Sequence, residues 1–206
     1  MTILIRSEDL RPAKIRTPLM FAYGSNLNKE QMSRRCPAAR DLGRLRLPDW
    51  QLVFRGVADV IREPGAACYG GVWRITPQCE RALDRYEAYL PNGNGIYRKE
   101  YIPIKPTPDG VKEMMVYVMN SSGIYPPSEW YLQSIEEGYR DFRMPKAAYR
   151  KLDQAVWESW AEKAPTNIER ERHRRKGRPV LAVPNYEEDP ENELRQADSR
   201  RPRLVL

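Results

Sequence analysis

An apolar run, Met20-Phe21-Ala22-Tyr23, breaks into Gly24, Ser25 and Asn26 and passes through Leu27 into a helical pattern. No other stretch constrains the chain as much, because it forces the order strand, tight loop, helix. Asn28 and Gln31 form a capping-box pair, and Leu27 and Met32 hold the staple positions on either side, so the helix is predicted to start at Asn28. Gly24 can take positive φ without steric cost, which would let the loop turn several backbone N–H groups toward one point beside the positive end of the helix dipole. Alone, this is either a generic anion site or an ordinary strand-to-helix turn, since Gly and Asn dominate such turns in any case. No Gly-Lys-Ser/Thr follows, so the loop is not a Walker A loop, and Ser25 lacks the second glycine of a nucleophile elbow. An anion bound here would be small.

A length of 206 residues suits one domain with a core of substantial size plus a tail. The boundaries expected are an N-terminal extension over 1–18, the domain over 19–164 and a charged tail over 165–206. The extension carries only Ile3-Leu4-Ile5 as an apolar cluster, too short for a signal peptide or a membrane span, so a soluble cytoplasmic protein is expected. Cys36, Cys68 and Cys79 are widely spaced, with no Cys-x-x-Cys, and the single histidine is His173 in the tail; neither a disulfide framework nor structural zinc is expected. The net charge of +7 is modest for this length, and only Arg170 to Arg178 is densely basic. That run has no aromatic residue for base stacking and reads as a solvated face rather than a nucleic-acid contact.

Past the first helix, Cys36-Pro37 marks a break, and Arg40 to Ile75 reads as strands with turns at Pro48-Asp49, Arg55-Gly56 and Pro64-Gly65. Short connections between successive strands point to an antiparallel or mixed sheet able to curl into a small barrel. Thr76 caps a helix with Pro77 at its first position, and Cys79, Ala82, Leu83 and Tyr86 form its apolar stripe. Glu87 falls at the edge of that stripe near the helix C-terminus, where the dipole disfavours a negative charge, whereas Asp84 is expected to face outward. Pro91 to Gly95 is a loop, Tyr97 to Lys105 and Lys112 to Met119 are strands, and Ser128 to Tyr139 and Pro145 to Glu162 are helices that should cover the sheet. Tyr149, Leu152, Ala155, Val156 and Trp160 make the buried side of the last helix.

A serine or cysteine hydrolase needs a base beside its nucleophile, and the only histidine lies in the tail. What remains is one carboxyl prone to hold a proton, Glu87, and one loop of aimed backbone donors, Gly24 to Leu27. That pair suits a reaction in which the substrate supplies its own nucleophile.

The order of these motifs resembles the gamma-glutamylcyclotransferase family over about Leu19 to Ala161. Tyr23-Gly24-Ser25-Asn26-Leu27 is similar to the family's signature loop, Cys36-Pro37 to its helix exit, and Ala58-Asp59-Val60-Ile61 and Gly70-Gly71-Val72-Trp73 to its central strands. Leu83-Asp84-Arg85-Tyr86-Glu87 resembles the segment bearing the family's catalytic glutamate, Tyr97 matches a tyrosine that follows it, and Leu132, Ile135, Gly138, Pro145 and Tyr149 match its closing helices. The resemblance implies an α+β fold, a small closed barrel with flanking helices. It implies cyclisation of a small γ-glutamyl amide to 5-oxoproline with release of an amine, without cofactor or metal. Glu87 would be the general acid/base, Tyr23, Gly24, Ser25, Asn26 and Leu27 would bind the substrate, and Tyr97 would orient it. The loops Pro91 to Gly95 and Gly123 to Pro127 would contact the leaving group. One departure stands out: Ala88 occupies the place after the glutamate where the family usually has glycine. A catalytically idle member, binding partners through barrel and tail, is the rival reading, and the intact Glu87 argues against it.

Overall fold

The computed structural model describes residues 17–163. The extension before residue 17, the basic run, His173 and the rest of the tail lie outside the described residues. Strands β1 (Leu19–Ala22), β2 (Arg40–Phe54), β3 (Ala58–Arg74), β4 (Tyr97–Pro103) and β5 (Glu113–Met119) alternate with helices α1 (Lys29–Arg35), α2 (Pro77–Tyr86), α3 (Glu129–Asp141) and α4 (Lys146–Lys163). The strands form one mixed sheet in the order β2-β3-β1-β5-β4, with β1 parallel to β5 and the other pairs antiparallel.

The mixed α+β sheet matches the sequence expectation, but the closed barrel does not. Closure would require β2 and β4 to bond along their lengths, and these are the two edges. The nearest approach to closure is local: after β5 the chain crosses to the end of β2, where Tyr125 N donates to Phe54 O and Gly56 N to Tyr125 O. β1 and Met114 to Val118 of β5 are buried on both faces, which is why they read as unbroken apolar runs, whereas the start of edge strand β2 alternates.

Two of the three expected turns are not turns. Arg55-Gly56 does reverse the chain, with Gly56 at φ 83. Pro48-Asp49 and Pro64-Gly65 instead face each other inside the long β2–β3 ribbon, where the register slips and Gly65 N donates to Asp49 Oδ1 at 2.9 Å. Two breaks opposite one another bend a ribbon without ending it.

α4 packs on β2 and β3, burying Tyr149, Leu152, Ala155 and Val156, while Trp160 remains 38% exposed and does not belong to the buried side. α3 instead lies against the loop after β1. Gly138 permits this, since a Cβ there would stand 2.4 Å from Leu27 Cβ. No helix among the described residues is long and apolar enough to cross a membrane.

Candidate active site

The loop after β1 is a single 3-10 turn, Ser25–Leu27, in which Leu27 N donates to Gly24 O at 2.9 Å. Trp73 pins it from below, its indole Nε1–H donating to Asn26 O at 2.9 Å. Asn28 caps α1 through its Oδ1, which accepts from Gln31 N at 2.9 Å. The capping box is only half made: Gln31 Oε1 accepts from Arg35 Nη2 and not from Asn28 N, which donates to Ser25 O, while Gln31 Nε2 donates to Ser134 Oγ. The expected anion site at the helix end is answered within the fold: Lys29 N donates to Asp141 Oδ2 at 2.8 Å, so α3 supplies the negative charge.

Gly24 is required for a different reason from the one the sequence suggests. Its φ of −114 is open to any residue, but a Cβ would meet Tyr131 Oη at 2.9 Å and Ala58 Cβ at 3.2 Å. Tyr131 of α3, whose hydroxyl accepts from Ala58 N at 3.1 Å, thus packs directly on the glycine.

On the open side of this loop is a cavity of about 340 Å³ whose lining includes Tyr23, Gly24, Ser25, Asn26, Glu87 and Tyr97. Six of the seven residues singled out from sequence therefore meet at one place. The seventh, Leu27, is fully buried in the core with its amide engaged by Gly24. Tyr86, Tyr117 and Tyr131 complete an aromatic wall, and Val57 and Ile96 also line the cavity, whereas no residue of the loops Pro91 to Gly95 and Gly123 to Pro127 expected there is in its lining.

Glu87 is the C-cap of α2 and is held by Asn26, whose Nδ2 donates to Oε1 at 2.7 Å. Burial pushes its carboxyl up to about 7 from an ordinary 4.5, opposed by the Asn26 hydrogen bond and the charge of Arg35. The direction agrees with the sequence expectation, and its leading cause is burial of the side chain at the edge of the apolar stripe. The next residue, Ala88, sits at φ 48, the left-handed conformation that a helix end commonly gives to glycine.

Burial raises the phenols of Tyr97 and Tyr131, so both stay protonated and keep their hydrogen-bond donors. Tyr23 donates to the backbone carbonyl of Tyr117 at 2.6 Å, and Tyr97 Oη stands 3.5 Å from Ala58 O. Tyr117 in turn donates to Asp84 Oδ1 at 2.6 Å, and Lys99 Nζ bridges Asp84 at 2.8 Å and Glu80 at 2.5 Å. Asp84 thus faces inward and anchors the cavity wall, contrary to the outward position expected. Tyr86 departs the other way: it is 50% exposed, and its ring lies under the Arg35 guanidinium at 3.8 Å instead of in the core.

Arg35, Asp84 and Tyr131 escaped the sequence reading because each holds a partner on another element of the fold: Arg35 on Asn26 and Tyr86, Asp84 on Tyr117, and Tyr131 on Ala58. Arg35 and Asp84 had a local hint in their place at a helix end, but nothing local marks Tyr131 as a partner of Gly24. Cys36, Cys68 and Cys79 are free and buried. Among the described residues no group of three or more His, Cys, Asp or Glu is placed to hold a metal ion.

A family model described as Gamma-glutamyl cyclotransferase, AIG2-like, matches residues 20–139. The chain is 30% identical over 179 residues to the gamma-glutamylcyclotransferase of Bos taurus, an alignment covering 79% of this chain and 91% of that protein. It is 31% identical over 150 residues to the Mus musculus gamma-glutamylcyclotransferase, covering 66% of this chain and 77% of the relative. Among solved structures, a gamma-glutamyl cyclotransferase superposes with a TM-score of 0.57 at 26% identity, covering 67% of this chain and 87% of the other. An uncharacterized protein from Homo sapiens gives 0.57 at 27% identity, with coverage of 66% and 86%.

Proposed function

The chain belongs to the gamma-glutamyl cyclotransferase, AIG2-like family, and from that premise we propose that it cyclises a small γ-glutamyl amide to 5-oxoproline, releasing the amine, with Glu87 as the general acid/base. One observation carries this proposal: a carboxyl pushed up to about 7 is held by an amide of the signature loop beside an aromatic-walled cavity.

The substrate's α-amine attacks its own γ-carbonyl. As an ammonium it has a pKa of roughly 8, so transfer of its proton to a carboxyl near 7 costs little, and the same proton can pass to the departing amine. The C–N bond formed closes the five-membered ring and the amide C–N bond breaks, with no net change in protons. The competent state holds one proton between Glu87 and the amine. The loop Gly24 to Asn26 lines the cavity, and in this reading its backbone N–H groups receive the oxyanion or the glutamyl carboxylate. Holding the substrate chain folded for ring closure can contribute roughly 7 to 11 kcal/mol. Tyr97, kept protonated, orients the substrate through its hydroxyl.

The test is incubation with a panel of γ-glutamyl amino acids and γ-glutamylamines, scored for 5-oxoproline. Turnover of at least one compound is expected, and none from a broad panel contradicts the proposal.

A further inference from the structure

Glu87 is not held by Asn26 alone, because Asn26 is itself held. Arg35, in the last turn of α1, donates through Nη1 to Asn26 Oδ1 at 2.8 Å, and to Ser25 Oγ at 3.4 Å. Its Nη2 donates to Gln31 Oε1 at 2.6 Å and to Tyr86 Oη at 2.7 Å, while the guanidinium plane rests on the Tyr86 ring. Each of these partners is neutral, so the fork is fixed by geometry and keeps its full charge beside the site. A guanidinium has only donors, so the amide atom that faces it must be the oxygen. The amide nitrogen is then left on the opposite side, where Glu87 Oε1 lies 2.7 Å away.

We propose that Arg35 is a positioning residue for Glu87: by holding Asn26 Oδ1 it locks the amide so that Nδ2–H, and never the oxygen, faces the carboxyl. The role rests on the proton-transfer function above. With Arg35 absent, the amide can rotate and present its oxygen to Glu87, which favours the protonated carboxyl because only that form can donate to it. Arg35 also acts directly through its charge, and the phenols of Tyr23, Tyr97, Tyr117 and Tyr131 face Glu87 from the loop after β1, from β4, from β5 and from α3. A test must therefore separate relay from charge.

The separation comes from a cycle of Arg35→Met, Asn26→Ala and the double variant. In each, the titration of the Glu87 carboxyl is followed by carbon NMR of free protein labelled at glutamate Cδ, the signal being identified by its loss in Glu87→Gln. Arg35→Met is expected to raise the midpoint by about one pH unit when Asn26 is present, and by less than half as much in the Asn26→Ala background. An equal rise in both backgrounds would mean that Arg35 acts by charge alone, and no rise in either would mean that it does not act on Glu87; each result overturns the proposal. Arg35→Lys keeps the charge and loses the fork, so it should raise the midpoint with Asn26 present and leave it unmoved without. That pair decides the matter if Arg35→Met does not fold. No substrate is used, so a protein that forms no 5-oxoproline refutes the function and spares the relay, while a failed cycle does the reverse.

Discussion

Glu87 has a carboxyl raised from 4.5 to about 7, and the sign of that change fixes its cost. The folded chain binds this proton more tightly than the unfolded chain, so below about pH 4.5 the group is neutral in both states and costs nothing. Stability is then lost as pH climbs to about 7, by roughly 3 kcal/mol when complete. Glu87→Gln removes the charge and keeps an oxygen for Asn26, so it should stabilise the fold by up to about 3 kcal/mol near pH 8 and change little near pH 4. Urea unfolding at the two pH values measures this, and a variant no more stable than wild type near pH 8 would contradict it. At this scale the sequence was legible wherever a residue's partner is near in the chain: the Asn28 and Thr76 caps form as their spacing predicts. Tyr131 on Gly24 was illegible, because a contact spanning more than a hundred residues leaves no local pattern.

At the scale of elements, α2 carries both the catalytic candidate and its support. Ala88, the residue after its C-cap, is left-handed at φ 48, a conformation that costs an L-residue roughly 1–2 kcal/mol and glycine almost nothing. Ala88→Gly is expected to raise stability by about 1 kcal/mol by thermal unfolding, less than the full strain because glycine also frees the unfolded chain; a loss of stability would contradict this account of the helix end. One turn earlier, Asp84 joins Tyr117 and Lys99, whose side chains are half-buried or better. Asp84→Asn removes a charge-assisted bond and leaves Lys99 to Glu80 alone, which should destabilise by about 2 kcal/mol. An unmoved denaturation midpoint would restore the outward-facing Asp84 that the periodicity of α2 suggested. That periodicity misled because a stripe of apolar residues marks the core-facing side only. It cannot show that the flank of the helix borders a cavity, where polar groups are also enclosed.

For the molecule as a whole, strand and helix order followed from the chain's apolar runs and caps, whereas closure of the sheet depends on the two edges meeting, which no local signal encodes. The buried core runs from Leu19 to Val156 among the described residues. Deleting residues 165–206 should therefore leave a cooperative thermal transition, and its loss would place the tail in the core. The site draws on β1, α1, α2, β4, β5 and α3 at once, and their convergence on a single carboxyl is the central claim. Its most direct measurement compares 5-oxoproline formation by wild type and Glu87→Gln on a γ-glutamyl substrate that wild type turns over. Gln preserves shape and hydrogen bonding but cannot carry a proton. The account predicts a loss at or beyond the upper end of about 100- to 10,000-fold, with the fold intact, and a Glu87→Gln protein that retains most of the wild-type rate would contradict it.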